Sequence, residues 1–419
     1  MHEYKPKLKN EDECTGCGAC IASCPKNAII KKKVGYSSWI PIIDQNKCVL
    51  CGKCETICNR TQVKETFFHK AYVAYNKDPI IRVKSASGGV FSALATYVLN
   101  HGGIVFGAEM YFEEGKAVVE HNCVTQICEL PRLLGSKYVQ SDCTRAYREV
   151  KKELRNNRIV LFSGCSCQIV GLKKYLGNID QTNLYTMDLI CHGVPSVDFF
   201  NEYILFLEKK YKGKIYQFSF RTKEKGKITY AIHATFTDNQ LGSIQNQYSN
   251  CMGELQAKEI KLPMKKSGYY RMFMGQESYR KACYHCNYAT LDKPADITTG
   301  DYFELADDYP ELLSGENAID CSKGISCVIT NTTKGEELLK KSKLYLYLKE
   351  VDPLVVQASH GNLNHPSKYS NVRNKLLRRY QKKGYYVIER YYFKRDIEIK
   401  LIHSVKRTVN LVTKRRNIL

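Results

Sequence analysis

The stretch RIVLFSGCSCQIVGLKKYL, residues 158–176, decides how the body of this chain is read. It is an apolar strand, a turn at Gly164 and then a helix, and the same scheme recurs on both sides of it. Downstream, LYTMDLICHGVPS (184–196) is a second strand and turn, and Ser196 caps a helix running to about Tyr211. Upstream, SASGGVFSALATYVLNHGG (85–103) opens on Ser85, Ser87, Gly88 and Gly89. It carries an apolar stripe at Val90, Phe91, Leu94, Ala95, Val98 and Leu99, and stops at Gly102 and Gly103. GIVFGAEM (103–110) reads as a buried strand, and GSKYVQSD (135–142) ends on Asp142, a candidate N-cap for the amphipathic CTRAYREVKKELRNN. Strands alternating with helices predict an α/β layer with some parallel pairing.

Ahead of that body stands a different device. CTGCGACIASCP (14–25) and CVLCGKCETICN (48–59) both carry C-x2-C-x2-C-x3-C, with Asn59 where the first run has Pro25. This is the spacing of bacterial two-cluster 4Fe-4S ferredoxins, in which three close thiolates hold one cube and the fourth cysteine reaches the other. Cys14, Cys17, Cys20 and Cys58 are thereby assigned to one cluster, and Cys24, Cys48, Cys51 and Cys54 to the second. A zinc site would use two C-x2-C pairs and gain nothing from the third cysteine of each triplet. The fold expected overall is α/β (α+β when the modules are taken together): a small ferredoxin domain over 1–66, a mixed α/β region over 70–150 and 151–345, and a basic amphipathic tail over 366–419.

Within the body, turns at strand ends and helix N-termini favour phosphates, so SASGG and GSKYVQS are candidate phosphate or flavin cradles. The later cysteines form another group. CSC at 165–167 and Cys191 follow buried strands, and RKACYHCNY (280–288) adds Cys283 and Cys286. Together they could make a further four-ligand site for iron–sulfur or zinc, or could pack as small hydrophobes.

The ordered set SASGG, GSKYVQS, LFSGCSCQIVGLK, MDLICHGVPS, FSFR (218–221), RKACYHCNY and ADITTGDYF (295–303) resembles the coenzyme F-420 hydrogenase/dehydrogenase beta-subunit family, from about residue 70 to about 330. The resemblance implies an iron–sulfur flavoprotein oxidoreductase. FAD would contact Ser87, Gly88, Gly89, Gly135, Ser136, Lys137 and Tyr138, and a third 4Fe-4S cluster would sit on Cys167, Cys191, Cys283 and Cys286. Relatives often read Gly-Thr-Pro-Cys where this chain has Gly164-Cys165-Ser166-Cys167, so Cys165 competes as a ligand. His192 is a candidate proton donor beside the flavin, and Asp296 and Asp301 are candidate pocket acids. A flavin exchanges electron pairs and a cluster single electrons, so the assembly would relay electrons between a ferredoxin-like, nicotinamide or deazaflavin carrier and an unknown organic substrate. The alternative is an electron-transfer subunit of a larger redox complex with no substrate of its own.

The formal charge of +22 does not call for nucleic acid, because of where it lies. Residues 1–69 hold 11 Lys/Arg against 7 Asp/Glu and residues 366–419 hold 16 against 3, which leaves +5 for the 296 residues between. In the tail Val372, Leu376, Leu377 and Tyr380 precede Gly384 and YYVIERYYF, after which Ile397, Leu401, Val405, Val409 and Val412 recur at helical spacing among cations. That pattern suits packing on the body, an acidic partner or a membrane surface. Nineteen cysteines, no apolar leader at the N-terminus and no apolar run of membrane-spanning length point to a reducing, cytoplasmic setting, peripheral to the inner membrane face at most.

Overall fold

A computed structural model describes residues 6–34, 38–59, 69–224, 227–237, 258–316 and 318–399 of the chain. The N-terminal module comprises α1 (Ala19–Ser23), the antiparallel pair β1 (Ile29–Val34) and β2 (Ser38–Ile43), and α2 (Lys53–Asn59). Gly16 and Gly18 sit at φ of 68° and 82° between the first three cysteines, a left-handed path that winds the loop without the Cβ clash other residues would meet. Cys20, Cys54 and Ile29 form the module's small core.

The body begins with β3 (Lys70–Asn76), α3 (Pro79–Lys84), α4 (Val90–Asn100) and the long hairpin β4 (Ile104–Glu113) and β5 (Lys116–Val124). It continues through α5 (Thr144–Arg155), β6 (Val160–Gly164), α6 (Ser166–Leu176), β7 (Leu184–Leu189) and α7 (Val197–Tyr211), capped as expected by Ser196, whose hydroxyl accepts from the Phe199 N–H. Cys143, not Asp142, occupies the N-cap position of α5; the Asp142 carboxylate accepts from the N–H and hydroxyl of Thr144 instead. Next come β8 (Lys214–Ser219), β9 (Thr222–Glu224), β10 (Lys227–Thr229), β11 (Ala231–Thr237), β12 (Lys258–Pro263) and α8 (Gly268–Met274). The chain then forms β13 (Ile297–Asp301), α9 (Leu305–Asp308), β14 (Ser326–Thr330), α10 (Thr333–Lys341), β15 (Leu346–Val351), α11 (Pro353–Ser359) and α12 (Asn371–Lys383).

Eight of these strands make one sheet in the order β15-β3-β14-β13-β7-β6-β4-β5. The four central strands, β13, β7, β6 and β4, are parallel neighbours, and the pairings outside them are antiparallel. The regions 70–150 and 151–345 therefore share a single sheet. Alternation along the strands divides its two faces: Leu161 and Val105 pack under α4 and α10, whereas Phe162, Val160, Ile104 and Phe106 pack under α5 and α6. The second face also takes Ala19 and Ala22 of α1, so the ferredoxin module is seated on α5 and α6.

A further aromatic core gathers α7, α8 and the antiparallel sheet β12-β11-β8. Leu376, Leu377 and Tyr380 of α12 are buried in it, and so are Tyr385, Ile388 and Tyr392 around the helix over 386–399. Of the roles the pattern of the tail allowed, packing on the body is therefore the one seen over 371–392. The basic helix expected through Leu401, Val405, Val409 and Val412 lies outside the described residues. Among the described residues no helix is long and apolar enough to cross a membrane.

Candidate redox site

The first four-cysteine set is brought together as its spacing requires. Burial holds the Cys20 thiol far above the ordinary range, and the thiols of Cys17, Cys58 and Cys14 push it further. Burial likewise raises Cys17, with Cys58 adding to the effect. The second set, Cys24, Cys48, Cys51 and Cys54, lines one cavity with Pro25, Ala28, Ile29 and Ile43. The grouping is crossed: Cys58 joins the first triplet and Cys24 the second. Buried thiols that crowd one another keep their protons unless a cationic metal centre displaces them, so this donor set suits the clusters that would bind there.

The module is fastened to the body at named points. Gln140 Nε2 donates to the carbonyls of Thr15 (3.0 Å) and Gly16 (3.1 Å). Arg280 donates to the Gln140 side-chain oxygen (2.8 Å) and to the carbonyls of Cys14 (3.1 Å) and Trp39 (2.6 Å). Arg148 reaches the Ala22 carbonyl (3.1 Å), Lys174 donates to the Cys58 carbonyl (3.0 Å), and Lys31 pairs with Asp142. In α6, a Cβ on Gly171 would stand 2.9 Å from Cys17 Cβ and 3.0 Å from its sulfur, so the cysteine loop and the helix touch where only glycine fits.

The third cysteine group gathers at the carboxyl edge of the parallel strands. β6 ends at Gly164, immediately before Cys165 and Cys167, and β7 ends two residues before Cys191. Cys283 lies in a short 3-10 turn over Lys281–His285, and Gly193 packs against Cys283 and Tyr279. Cys167 is raised by burial and then by its neighbours Cys191, Cys283, Cys17 and Cys286. Burial raises Cys283 to about 12, and the Cys191 thiol adds to that. Cys165 is drawn in as well, its sulfur 3.7 Å from that of Cys191; the hydrogen bond between them raises Cys165 and lowers Cys191. Cys17 belongs to the first set yet acts on Cys167, which places the two groups side by side. Among the described residues no three His, Cys, Asp or Glu are arranged to hold a single metal ion, as zinc with its bond lengths of about 2.3 Å would need.

Beyond Cys191 the same edge carries a polar cluster. Arg221, from the FSFR motif, is nearly fully enclosed and donates from Nη1 to Asp301 Oδ2 at 2.7 Å. Its Nε and Nη2, and the other Asp301 oxygen, are buried with no hydrogen-bond partner. Asp301 ends β13, beside β7. Around this pair stand Tyr138, Tyr230 and Lys223, since each feels the charges of both residues. Lys223 also donates to the Ser87 carbonyl at 2.8 Å, so the loop 85–89 borders the cluster. His192 keeps a solvent-exposed edge, but the protein packed around its ring desolvates it and depresses its pKa; Asp301 opposes that shift and His360 reinforces it.

The individual cradle residues are placed unevenly. Ser87 donates to the Ile325 carbonyl (2.8 Å), and the Gly88 N–H donates to Ser326 Oγ (3.1 Å). Gly89 serves as the left-handed N-cap of α4. Gly135 faces open space at φ 83°, and Ser136 after it is half-buried. Lys137 turns inward onto the carbonyls of Leu133 (3.0 Å) and Leu134 (2.7 Å), and burial lowers it to about 7. Tyr138 stacks on Phe273 at 4.4 Å. Asp296 is not a pocket acid: it accepts from the N–H and hydroxyl of Thr186 and from Thr332, which ties β7 to α10.

Sequence reasoning passed over Gln140, Arg280 and Asp188. Asp188 is buried, raised by desolvation, and accepts from Ser166 and Thr298, binding α6 and β13 to β7 beneath the cysteines. A polar residue inside the apolar run LYTMDLI was the available signal for it.

Crossed cysteine sets on a two-helix, two-strand module define an iron–sulfur protein of the ferredoxin type. Residues 13–61 match the 4Fe-4S dicluster domain, and residues 157–353 match the C terminus of the beta subunit of coenzyme F420 hydrogenase/dehydrogenase. A segment matching the C terminus of that beta subunit thus follows a segment matching the 4Fe-4S dicluster domain in one chain. It is similar to the DNA-directed RNA polymerase subunit Rpo3 of Methanosarcina mazei, 37% identical over 62 residues, which are 15% of this chain and 23% of that one. It is also similar to an iron-sulfur subunit of the CoB–CoM heterodisulfide reductase of Methanocaldococcus jannaschii, 35% identical over 69 residues, 13% of this chain and 10% of that one. The chain thus spans less than a quarter of the length of these curated relatives. A chain of the F420-reducing [NiFe] hydrogenase complex from Methanosarcina barkeri matches at 17% identity and a TM-score of 0.42, over 72% of this chain and 92% of that one.

Proposed function

We propose that this chain is an iron–sulfur flavoprotein oxidoreductase that relays electrons between a ferredoxin-like or deazaflavin carrier and an organic substrate. The observation that carries this reading is adjacency: Cys17 of the first set abuts Gly171 on α6, one turn beyond Cys167 of the third set, and Cys191 of the third is followed directly by His192 near Asp301. Clusters of this kind exchange single electrons and a flavin exchanges pairs, so together they would interconvert the two.

Cys14, Cys17, Cys20 and Cys58 would hold one cluster, Cys24, Cys48, Cys51 and Cys54 the next, and Cys167, Cys191, Cys283 and Cys286 a third. The bare atoms of Arg221 and Asp301 offer two donors and an acceptor to FAD or substrate, which fits a polar ligand at that edge. The loops 85–89 and 135–138 flank it, and His192 stands at the rim to exchange a proton with solvent.

A second reading is an electron-transfer subunit with no substrate of its own. It is favoured by the family model itself, which describes a beta subunit. Anoxic reconstitution tests both. The expected protein retains iron and sulfide in about equal amounts together with flavin, which is bleached by one of ferredoxin, nicotinamide or deazaflavin. Retention of flavin with turnover only after a partner protein is added selects the second reading. Failure to retain iron and sulfide refutes both.

A further inference from the structure

Among the described residues Arg280 heads the fully buried side chains by size. Its contacts are all neutral: the Gln140 side-chain oxygen, the carbonyls of Cys14 and Trp39, and the Trp39 ring, whose centroid is 5.2 Å away. Its Nε has no partner, and among the described residues no carboxylate pairs with it. Arg221 shows the usual arrangement, an enclosed guanidinium with Asp301 beside it. Taking a cation out of water without a counter-charge is strongly unfavourable, so a buried guanidinium held only by dipoles implies an anion in its surroundings.

The surroundings identify that anion. Gly16 lies between Cys14 and Cys17, and a Cβ there would come 2.8 Å from the Arg280 guanidinium carbon, so the cation sits in the elbow of the first cysteine loop. Arg280 also opens the turn that carries Cys283, whose N–H donates to the Arg280 carbonyl at 3.0 Å. Its own N–H donates to the Val194 carbonyl, three residues after Cys191. None of its contacts reaches the cavity of Cys24, Cys48, Cys51 and Cys54.

We infer that Arg280 is the internal counter-ion shared by the cluster on Cys14, Cys17, Cys20 and Cys58 and the cluster on Cys167, Cys191, Cys283 and Cys286, and that it makes both easier to reduce. This rests on the cluster assignment proposed above. A cube held by four thiolates gains a negative charge on reduction, and a fixed cation in a medium of low polarity favours the more negative state.

The test uses the full chain reconstituted anoxically, with the clusters followed by EPR during a redox titration. Three clusters' worth of iron in the unaltered protein is the prior condition, and its absence would fail the cluster assignment, not the role of Arg280. Arg280→Gln is expected to lower the reduction equilibrium of the two flanking clusters by on the order of tenfold, about 59 mV, and to leave the second cluster unmoved. Arg280→Lys, which keeps the charge and loses the planar fork, is expected to restore most of the difference. Loss of iron from the flanking sets in Arg280→Gln, with retention in Arg280→Lys, supports the same role. The inference is overturned by unchanged potentials in Arg280→Gln, by an equal shift at the second cluster, or by Arg280→Lys behaving like Arg280→Gln.

Discussion

Replacing Gly171 by alanine tests the seat of the cysteine loop on α6. Glycine inside a helix ordinarily costs about 1 kcal/mol relative to alanine, so at an exposed position this change would stabilise the protein. Here the new methyl would lie 2.7 Å from the Tyr147 hydroxyl, 2.9 Å from Cys17 Cβ and 3.0 Å from Cys17 Sγ. Carbon contacts relax at about 3.5–4.0 Å, so its neighbours must retreat by more than half an ångström. The Tyr147 hydroxyl is tied to the Gln168 carbonyl at 2.8 Å, and straining that bond removes on the order of 1 kcal/mol. Overpacking adds roughly 1–3 kcal/mol. After the gain in helix propensity, a net loss of about 1–3 kcal/mol remains. At about 2–4 °C per kcal/mol for domains of moderate size, the melting temperature falls by several degrees. Anoxic thermal denaturation measures that, and EPR of the reduced protein reports whether the cluster on Cys17 is altered while the one on Cys51 is not. A variant that melts at or above the unaltered protein, with unchanged spectra, would refute the contact between the ferredoxin loop and α6, and with it the adjacency on which the relay depends.

Four further outcomes are expected. Cys167→Ser should lose the iron of the third set and Cys165→Ser should keep it, as read by iron and sulfide analysis; the reverse would transfer the ligand role to Cys165. Asp301→Asn leaves Arg221 enclosed without a counter-charge, so a loss of about 1–3 kcal/mol in denaturant unfolding is expected, discounted because Asp301 is partly exposed, together with weaker flavin retention. Burial depresses His121 to about 4, which lies below its unfolded value of about 6.5, so the unfolded chain takes the proton first on acidification. The contribution is complete above about pH 6.5 and fades towards pH 4, by roughly 3 kcal/mol in all, and His121→Gln should flatten the pH dependence of stability across that window. Gly88→Ala would press a methyl to 2.6 Å from the Ala74 carbonyl and 2.8 Å from the Ser326 N–H, so lower stability and loss of flavin are expected by melting and absorbance.

What the sequence disclosed follows from the range of each interaction. The helix from Val90, the strand and helix on either side of Gly164 and the cap at Ser196 depend on neighbours a few residues apart, so their periodicity and capping chemistry announced them. The crossed cysteine sets were legible because cluster geometry dictates the spacing. The joining of β12, β11 and β8 with α12 into an aromatic core was not, since more than 100 residues separate those strands from that helix. Of the cations of 366–399 only Arg373 is buried, while Leu376, Tyr380 and Ile388 face inward; of the roles that charge and stripe together allowed, packing on the body is the one this part of the tail shows. Arg280 and Gln140 were invisible for the same reason: their partners are the backbone carbonyls of Cys14, Thr15 and Gly16, which no side-chain pattern encodes. FSFR and Gly-Asp were recognisable as motifs, but only folding shows that Arg221 and Asp301 meet.

The chain contains one tryptophan, and that residue lies at the seam, its ring 4.9 Å from the Lys31 ammonium on one strand of the module and 5.2 Å from the Arg280 guanidinium of the body. Indole emission from this protein therefore has a single origin, at the joint between its two redox parts. An engineered label is unnecessary: a shift of the emission maximum to longer wavelength would signal, in real time, that the N-terminal module has come away from its seat.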